Sequence, residues 1–511
     1  AAFGIFNEHK LLHKAMALDD GDLIEPRLQI VPKSSSKDVN VVLQPVWPEL
    51  LKQNENFSTI DVVVTPPVFG VTLGGRPPSA WKRLSSLKLK RIGYHFFASV
   101  GAKGPKFLFP RPDVILFRES NELIKETAMQ FALRGHRLRR APTATKMAWK
   151  LPDADVIQVR QICTRLYENH MLGLHAEGLI SLLVERLTSA VIDGIGHAKG
   201  SQIFWRDFFL QYSGEKAVVL HGGPIAAEGN GLHLAAKESD IKIFGFQHGV
   251  RREIGAWPLD VTILNENNFS DHLLCFNQQA VRYSQESVFA ISTATAVGLP
   301  ADYRRYRVRR TGTSGCPIIY VSTLLYRGNR QLTNTCLTDL QRANREIEFI
   351  TNVLGRLPHN VRYKPYPSFR YADPDPVFEA AQNCKNIEIY TNEIDLRYIV
   401  GEHRVVVTTG ATSTVGWCAF SDLPMVFIDD PQVQPLTSMA SKLFDEGVFR
   451  FDRDSQKFID EIRNFLSQPI SLIESAAGER FKHRNALMSN LLGSADNNAG
   501  VMAYRHISSV A

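Results

Sequence analysis

Short apolar runs that end in glycine, histidine or hydroxyl residues recur along this chain, separated by stretches of helical length. One series occupies residues 216–277. KAVVLHGG (216–223) reads as a strand running into glycines, and NGLHLAAKESD (230–240) as a short helix. IKIFGFQHG (241–249) reads as a second strand ending in glycine, and HLLCFN (272–277) as a third. A second series opens at CPIIYVST (316–323) and a helix over about 335–357. It continues through VRYKPYP (361–367), NIEIYT (386–391), HRVVVTTG (403–410) and LPMVFID (423–429) to a closing helix, SQKFIDEIRNFLS (455–467). Apolar strands alternating with helices predict parallel sheets covered by helices, because parallel strands need crossover connections.

Five short strands at this spacing make the second series a Rossmann-like pattern. With 511 residues the chain is also too long for one ordinary core. The expected fold is α/β with two Rossmann-like domains facing each other across a cleft. The divisions are an N-terminal domain over 1–305, a C-terminal domain over 316–470 and a helical tail over 471–511. ADYRRYRVRRTGTSG (301–315), polar, basic and glycine-ended, is the expected linker. Upstream, DVNVVLQPV (38–46), IDVVVTPPVFGV (60–71) and VILFRES (114–120) read as strands, and ESNELIKETAMQFALR (119–134) as a helix. A further helical stretch covers 155–198, where Leu179, Leu182, Leu183, Leu187 and Val191 recur at helical spacing.

Hydrophobic residues make up 44% and charged residues 22%, an ordinary folded balance. No apolar run reaches the roughly 18 to 20 residues of a bilayer span, and the opening residues lack a signal-peptide pattern. The six cysteines form no CxxC pair, so reduced thiols in a cytoplasmic protein are expected. Lys plus Arg exceeds Asp plus Glu, 59 against 52. Such an excess suits an anionic ligand or an anionic membrane face. Basic clusters lie at 82–91, 134–140 and 304–310, and none has the aromatic–glycine pattern of an RNA-binding strand, so no nucleic-acid partner is expected.

The strongest constellation is VVVTTGATSTVGWCAFSDLPMVFID (405–429). A buried strand ends at Gly410, which lets a ligand approach the backbone, and Thr412, Ser413 and Thr414 then open a helix. Hydroxyls and free N–H groups there suit phosphate, with helix capping as the plainer alternative. VRYKPYPSFRY (361–371) supplies Arg362 and Lys364 beside prolines. IFGFQHGVRREIG (243–255) places Gln247 and His248 at a strand end, followed by Arg251 and Arg252. His248 is a candidate acid, base or phosphate ligand. His221 and Glu228 occupy the corresponding loop of the preceding strand, Glu228 being the candidate carboxylate.

Together, FQHG, the basic-proline strand and TGATSTVGWCAFSDLPMVF resemble bacterial surface-polysaccharide glycosyltransferases of the GT-B fold. The resemblance covers roughly 215–430. It is to capsule and lipopolysaccharide enzymes that use CMP-sugars such as Kdo or sialic acid, and more distantly to CDP-glycerol glycerophosphotransferases. It implies that His248 matches the family's His-Gly histidine, Lys364-Pro365 its His-Pro motif and Ser413-Thr414 its Ser-Ser/Thr motif. Lysine replaces the motif histidine at Lys364. It further implies a nucleotide-sugar donor, a glycan or lipid-linked glycan acceptor and peripheral association with the inner face of an anionic membrane. His248, Glu228 and His221 would be catalytic; Lys364, Arg362, Gly410, Thr412, Ser413, Thr414 and Gln247 would hold the donor. The alternatives are a non-catalytic glycan- or nucleotide-binding module and a sugar-nucleotide epimerase.

No resident cofactor and no metal are expected. Asp373/Asp375 and Asp452/Asp454 imitate a DxD triplet, a pattern that arises easily by chance, and the first lies among prolines with no strand before it. His9/His13 lack a third ligand, and Asp19-Asp20-Gly21 follows no clear strand. HExxH, Walker A and GxSxG signatures are absent.

Overall fold

The computed structural model describes residues 29–32, 39–42, 97, 110–119, 122–142, 149–170, 177–212, 216–223, 226–256, 266–267, 269–286, 292–301, 303, 314–322, 339–366, 375–391, 396–493 and 498–511. The 60–71 run, the 82–91 and 304–310 clusters, His9, His13, Asp19, Asp20, Gly21 and Asp373 lie outside them.

The first sheet contains β3 (Arg111–Phe117), β4 (His136–Arg140), β5 (Val218–His221), β6 (Lys242–Phe246), β7 (His272–Cys275) and β8 (Thr293–Ala296). Its order is β4-β3-β5-β6-β7-β8, parallel throughout. The second contains β9 (Ile318–Val321), β10 (Val361–Lys364), β11 (Ile387–Ile389), β12 (Val405–Thr409), β13 (Met425–Asp429) and β14 (Phe449–Asp452). Its order, β11-β10-β9-β12-β13-β14, is that of a doubly wound dinucleotide-binding sheet, again parallel throughout. A separate antiparallel pair, β1 (Gln29–Pro32) with β2 (Val39–Val42), falls partly on the expected 38–46 strand.

The helices are α1 (Glu122–Ala132), α2 (Asp153–His170), α3 (Glu177–Phe209), α4 (Ala226–Glu238), α5 (Gln278–Glu286), α6 (Asp339–Asn352), α7 (Pro376–Gln382), α8 (Ser413–Ala419), α9 (Ser438–Gly447), α10 (Phe458–Leu466), α11 (Ile470–Leu487) and α12 (Ala499–Val510). The expected 155–198 helix is two, α2 and α3.

The central strands are buried on both faces. Every residue of β12 and β13 is buried, as continuous Val/Ile-rich runs require when helices cover both sides. In β13, Val426 and Ile428 pack with α6, α10 and α11, while Met425 and Phe427 face the opposite cluster. That opposite cluster is continuous across the molecule. It joins Val250, Ile254, Leu299 and Tyr303 of the first half to Val415, Cys418, Phe420 and Phe444 of the second. The chain then returns: α11 packs on α9, and α12 lies on α1, with Tyr504 edge-on to Phe131 at 4.7 Å.

Besides β1, three strands of the two large sheets escape the periodicity. RGHRLRR (134–140), a basic cluster in sequence, contains the edge strand β4. Its Arg137 donates to the fully buried Asp113 of β3, at 2.6 Å from Nη2 to Oδ2. An edge strand tolerates such charges because one side is open to water. TATA of β8 and FRFD of β14 are equally short and weakly apolar.

Candidate functional site

Each sheet reverses its strand order once, and open α/β sheets bind ligands in the crevice beyond the strand ends at that point. In the second sheet the reversal lies between β9 and β12, bordered by Ser322 and Gly410; in the first it lies between β3 and β5, bordered by Arg118 and Gly222.

Gly410 takes φ +74°, a left-handed conformation that suits glycine and turns the chain out of β12. Thr412 then caps α8 without a side-chain capping bond, and its Oγ1 has no hydrogen-bond partner among the described residues. Ser413 and Thr414 are half-buried. The strand hydroxyls are engaged differently: Thr408 and Thr409 donate to the carbonyls of Val321 and Ile428, both at 3.2 Å.

The loop after β6 meets this helix directly. A Cβ on Gly249 would lie 2.6 Å from Ser413 Cβ, and one on Gly416 would lie 2.2 Å from Val250 Cγ2. Both approaches therefore require glycine. The seam continues through Thr437 N–H to Ile254 O (2.9 Å), Ala256 N–H to Pro435 O (2.8 Å) and an antiparallel bridge between Gly255 and Leu436. Tyr303 closes it by stacking on Trp417 at 3.7 Å.

His248 is exposed, and its backbone N–H donates to Glu266 Oε1 at 3.3 Å. Its neighbour is the opposite. Gln247 is fully buried; its Nε2 donates to Gly249 O (2.8 Å) and Glu253 Oε1 (2.6 Å), and its Oε1 accepts from Phe276 N–H (2.9 Å). Both follow β6, which ends at Phe246, so the loop and not strand alternation sets the two side chains apart. Arg252 lies buried in an ion pair with Glu266 and donates to Asn267 Oδ1 at 3.2 Å.

His221 ends β5 and is fully buried, with Nδ1 accepting the Gly223 N–H at 3.2 Å. Burial, aided by the nearby His233, pushes its pKa down to about 3, so the ring is neutral at physiological pH. Glu228 belongs to the first turn of α4 rather than to a loop, and it accepts from Arg118 Nη2 at 3.1 Å. Lys364 ends β10, buried, with Nζ 5.8 Å from the Tyr390 ring centre. Arg362, further back on β10, pairs with Glu388 (2.9 Å) and Glu402 (3.4 Å). The fold thus gathers His248, Gly410, Thr412, Ser413 and Thr414 along one seam. It holds Gln247 and His221 inside the first half.

The triplet aspartates have other partners. Asp375 caps α7 by accepting from Val377 N–H (2.9 Å) and Phe378 N–H (3.3 Å). Asp452 accepts the Asp454 N–H at 2.9 Å, while Asp454 takes Arg345 at 3.2 Å. Among the described residues no group of three His, Cys, Asp or Glu side chains could hold a metal ion. No helix among them is long and apolar enough to cross a membrane.

Sequence reasoning passed over Arg118, Glu253 and Asn277. Arg118 had a signal, a lone cation at the end of VILF; it takes φ +54°, uncommon for a side chain of this size. Glu253 and Asn277 had none, since their buried carboxyl and amide meet only in the folded chain.

No family model matches the chain, and no curated protein matches it. Solved structures do. UDP-GlcNAc 2-epimerase from Neisseria meningitidis, bound to UDP-GlcNAc, is 11% identical over 75% of this chain and 100% of its own, with TM-score 0.40. MurG from Acinetobacter baumannii is 13% identical over 78% and 95%, with TM-score 0.33. Spinosyn forosaminyltransferase SpnP is 11% identical over 78% and 100%, with TM-score 0.40. Likeness of this degree carries no information about activity.

Proposed function

We propose that this chain is a glycosyltransferase moving a sugar from a nucleotide-activated donor to a surface glycan. The favoured donor is a CMP-sugar such as Kdo or another nonulosonic acid. One observation carries the reading: Gly249 abuts Ser413, at 2.6 Å from a Cβ built on Gly249, so the exposed His248 and the hydroxyl run opening α8 share one seam. A base or phosphate ligand beside hydroxyls and helix N–H groups is the pairing that group transfer from a phosphate ester needs.

In this reading the 316–470 domain binds the nucleotide. Gly410, Thr412, Ser413 and Thr414 hold its phosphate, and Lys364 supplies positive charge at the same sheet edge. The 1–305 domain takes the glycan or lipid-linked acceptor, and the 471–511 tail ties the two together. His248 assists the departing phosphate or the proton transfer. Glu228, ion-paired to Arg118 beside the first sheet's reversal point, is the candidate carboxylate. Cations and hydroxyls stabilise the leaving phosphate without metal. The enzyme works in the cytoplasm, at the inner face of an anionic membrane.

Nucleotide release, measured over CMP-, CDP-, UDP- and GDP-sugars with and without a glycan acceptor, tests this. The expected result is acceptor-stimulated release from a CMP-sugar that survives EDTA. Donor isomerised without net consumption would favour the epimerase, and binding without turnover a binding module. Loss on chelation with rescue by Mn²⁺ would overturn the metal-free mechanism.

A further inference from the structure

The loop 247–255 that presents His248 is anchored from below by one carboxyl oxygen. Glu253 is fully buried, and its Oε1 accepts from Gln247 Nε2 (2.6 Å) and from Asn277 Nδ2 (2.9 Å). Each amide uses its second hydrogen elsewhere: Gln247 on Gly249 O (2.8 Å), Asn277 on Leu491 O (2.9 Å). Glu253 thus holds Gln247, which in turn holds Gly249 on the far side of His248, and through Asn277 it ties them to the end of β7 and to the returning C-terminal segment.

We infer that Glu253 is a positioning residue that, as a neutral acid, sets His248 beside Ser413 through Gln247, a role resting on the site assignment proposed above. The reason lies in the other oxygen. Oε2 is buried with no hydrogen-bond partner among the described residues. A neutral carboxyl there leaves one unmet polar atom. A carboxylate would leave unpaired charge, which costs considerably more.

The surroundings offer little to neutralise it. Arg252, in the same loop, gives both terminal nitrogens to Glu266, Asn267 and Ser284, and its buried Nε makes no hydrogen bond to Glu253. The Cys275 thiol of β7 is pushed up to about 12, chiefly by burial, and stays neutral. Burial pushes Glu253 up to about 7, against the pull of Gln247, its own backbone, Arg252 and Asn277. Ionisation above neutral pH would require water to reach Oε2, which opens the loop and moves His248 away from α8.

Hydrogen–deuterium exchange of peptides covering 247–256 in the full chain tests this, at pH 6 and pH 8 and corrected for intrinsic exchange. Turnover is measured alongside. Wild-type loop protection is expected to fall about tenfold between the two values, the change of one pH unit beyond the titration. Glu253→Gln keeps an acceptor for both amides and cannot ionise. It should hold its protection at both pH values, keep turnover within about twofold at pH 6, and exceed wild type at pH 8, with KM for the donor little changed. Glu253→Leu should lose protection at both values and about tenfold in turnover; if it does not fold, the Gln variant decides. Wild-type protection that ignores pH, or a Gln variant that follows wild type, overturns the inference. If no donor turns over, the proposed function fails, while the exchange data still judge Glu253.

Discussion

His248 and Gln247 are adjacent in sequence and opposite in setting, one exposed at the seam and the other buried with its amide fully engaged. Their substitutions should therefore separate cleanly. His248→Ala should cut turnover by about 10²-fold or more while leaving the melting temperature nearly unchanged, since truncating an exposed ring leaves no cavity. A lower melting temperature with intact turnover would remove His248 from the site. Thr412 offers a second test, because its Oγ1 has no partner among the described residues. Thr412→Val keeps the shape and removes only the hydroxyl. Stability should hold or rise, while CMP binding, followed by calorimetry, should weaken about tenfold if the hydroxyl meets phosphate. Unchanged CMP affinity would return Thr412 to a capping role. The sequence exposed both residues through their place after apolar strands. It could not show that the neighbouring glutamine is committed to the loop, because that depends on Phe276 and Glu253 arriving beside it.

At the scale of elements, the seam between α8 and the loop after β6 is tight enough to be tested sterically. Gly249→Ala would place its Cβ 2.6 Å from Ser413 Cβ, and neither backbone can yield without moving the seam. The expected outcome is destabilisation of about 1–3 kcal/mol by urea unfolding, with a fall in turnover. A variant of unchanged stability and rate would show that loop and helix do not meet this closely in solution. Strands with continuous apolar runs, β5, β6, β9, β12 and β13, were legible because burial on both faces demands such runs. The edge strand β4 was not, since an edge position admits arginines that the pattern reads as a surface cluster. Glu228 reads as a loop residue in sequence because α4 begins, at Ala226, earlier than its apolar pattern.

Across the whole molecule, each half holds a fully buried histidine, His221 in the first and His403 in the second. Burial drives them down to about 3 and about 4, helped by His233 and opposed at His403 by its bond to Cys316 O. Their folded values lie below the ordinary 6.5, so the stability they confer is present above 6.5 and is lost as pH falls. Each contributes about 1.4 kcal/mol per pH unit in that window. Glu253 has the opposite sign: its folded value, about 7, lies above the ordinary 4.5, so its contribution declines as pH rises between the two. The histidines prevail below 6.5. Urea unfolding at pH 5, 6 and 7 should show stability rising with pH, with net proton uptake on unfolding at pH 5. Flat stability over that range would mean that one of the rings is not buried in solution.

The sequence by itself determined the α/β class, the positions of most central strands and the strand-end residues that approach the seam. These follow from local rules: apolar period, glycine where a chain must turn, hydroxyls where a helix begins. Only the tertiary structure decided which of those residues meet. Ser413 and Gly249 are far apart in the chain and touch because two sheets share one apolar cluster. The returning tail is of the same kind, with Gly500 of α12 packed so closely on α1 that a Cβ would come within 2.8 Å of Glu126 Cβ. The buried Glu253 completes the set. A carboxyl in a polar-looking stretch becomes a neutral anchor through burial and the two amides beside it, which no local pattern encodes.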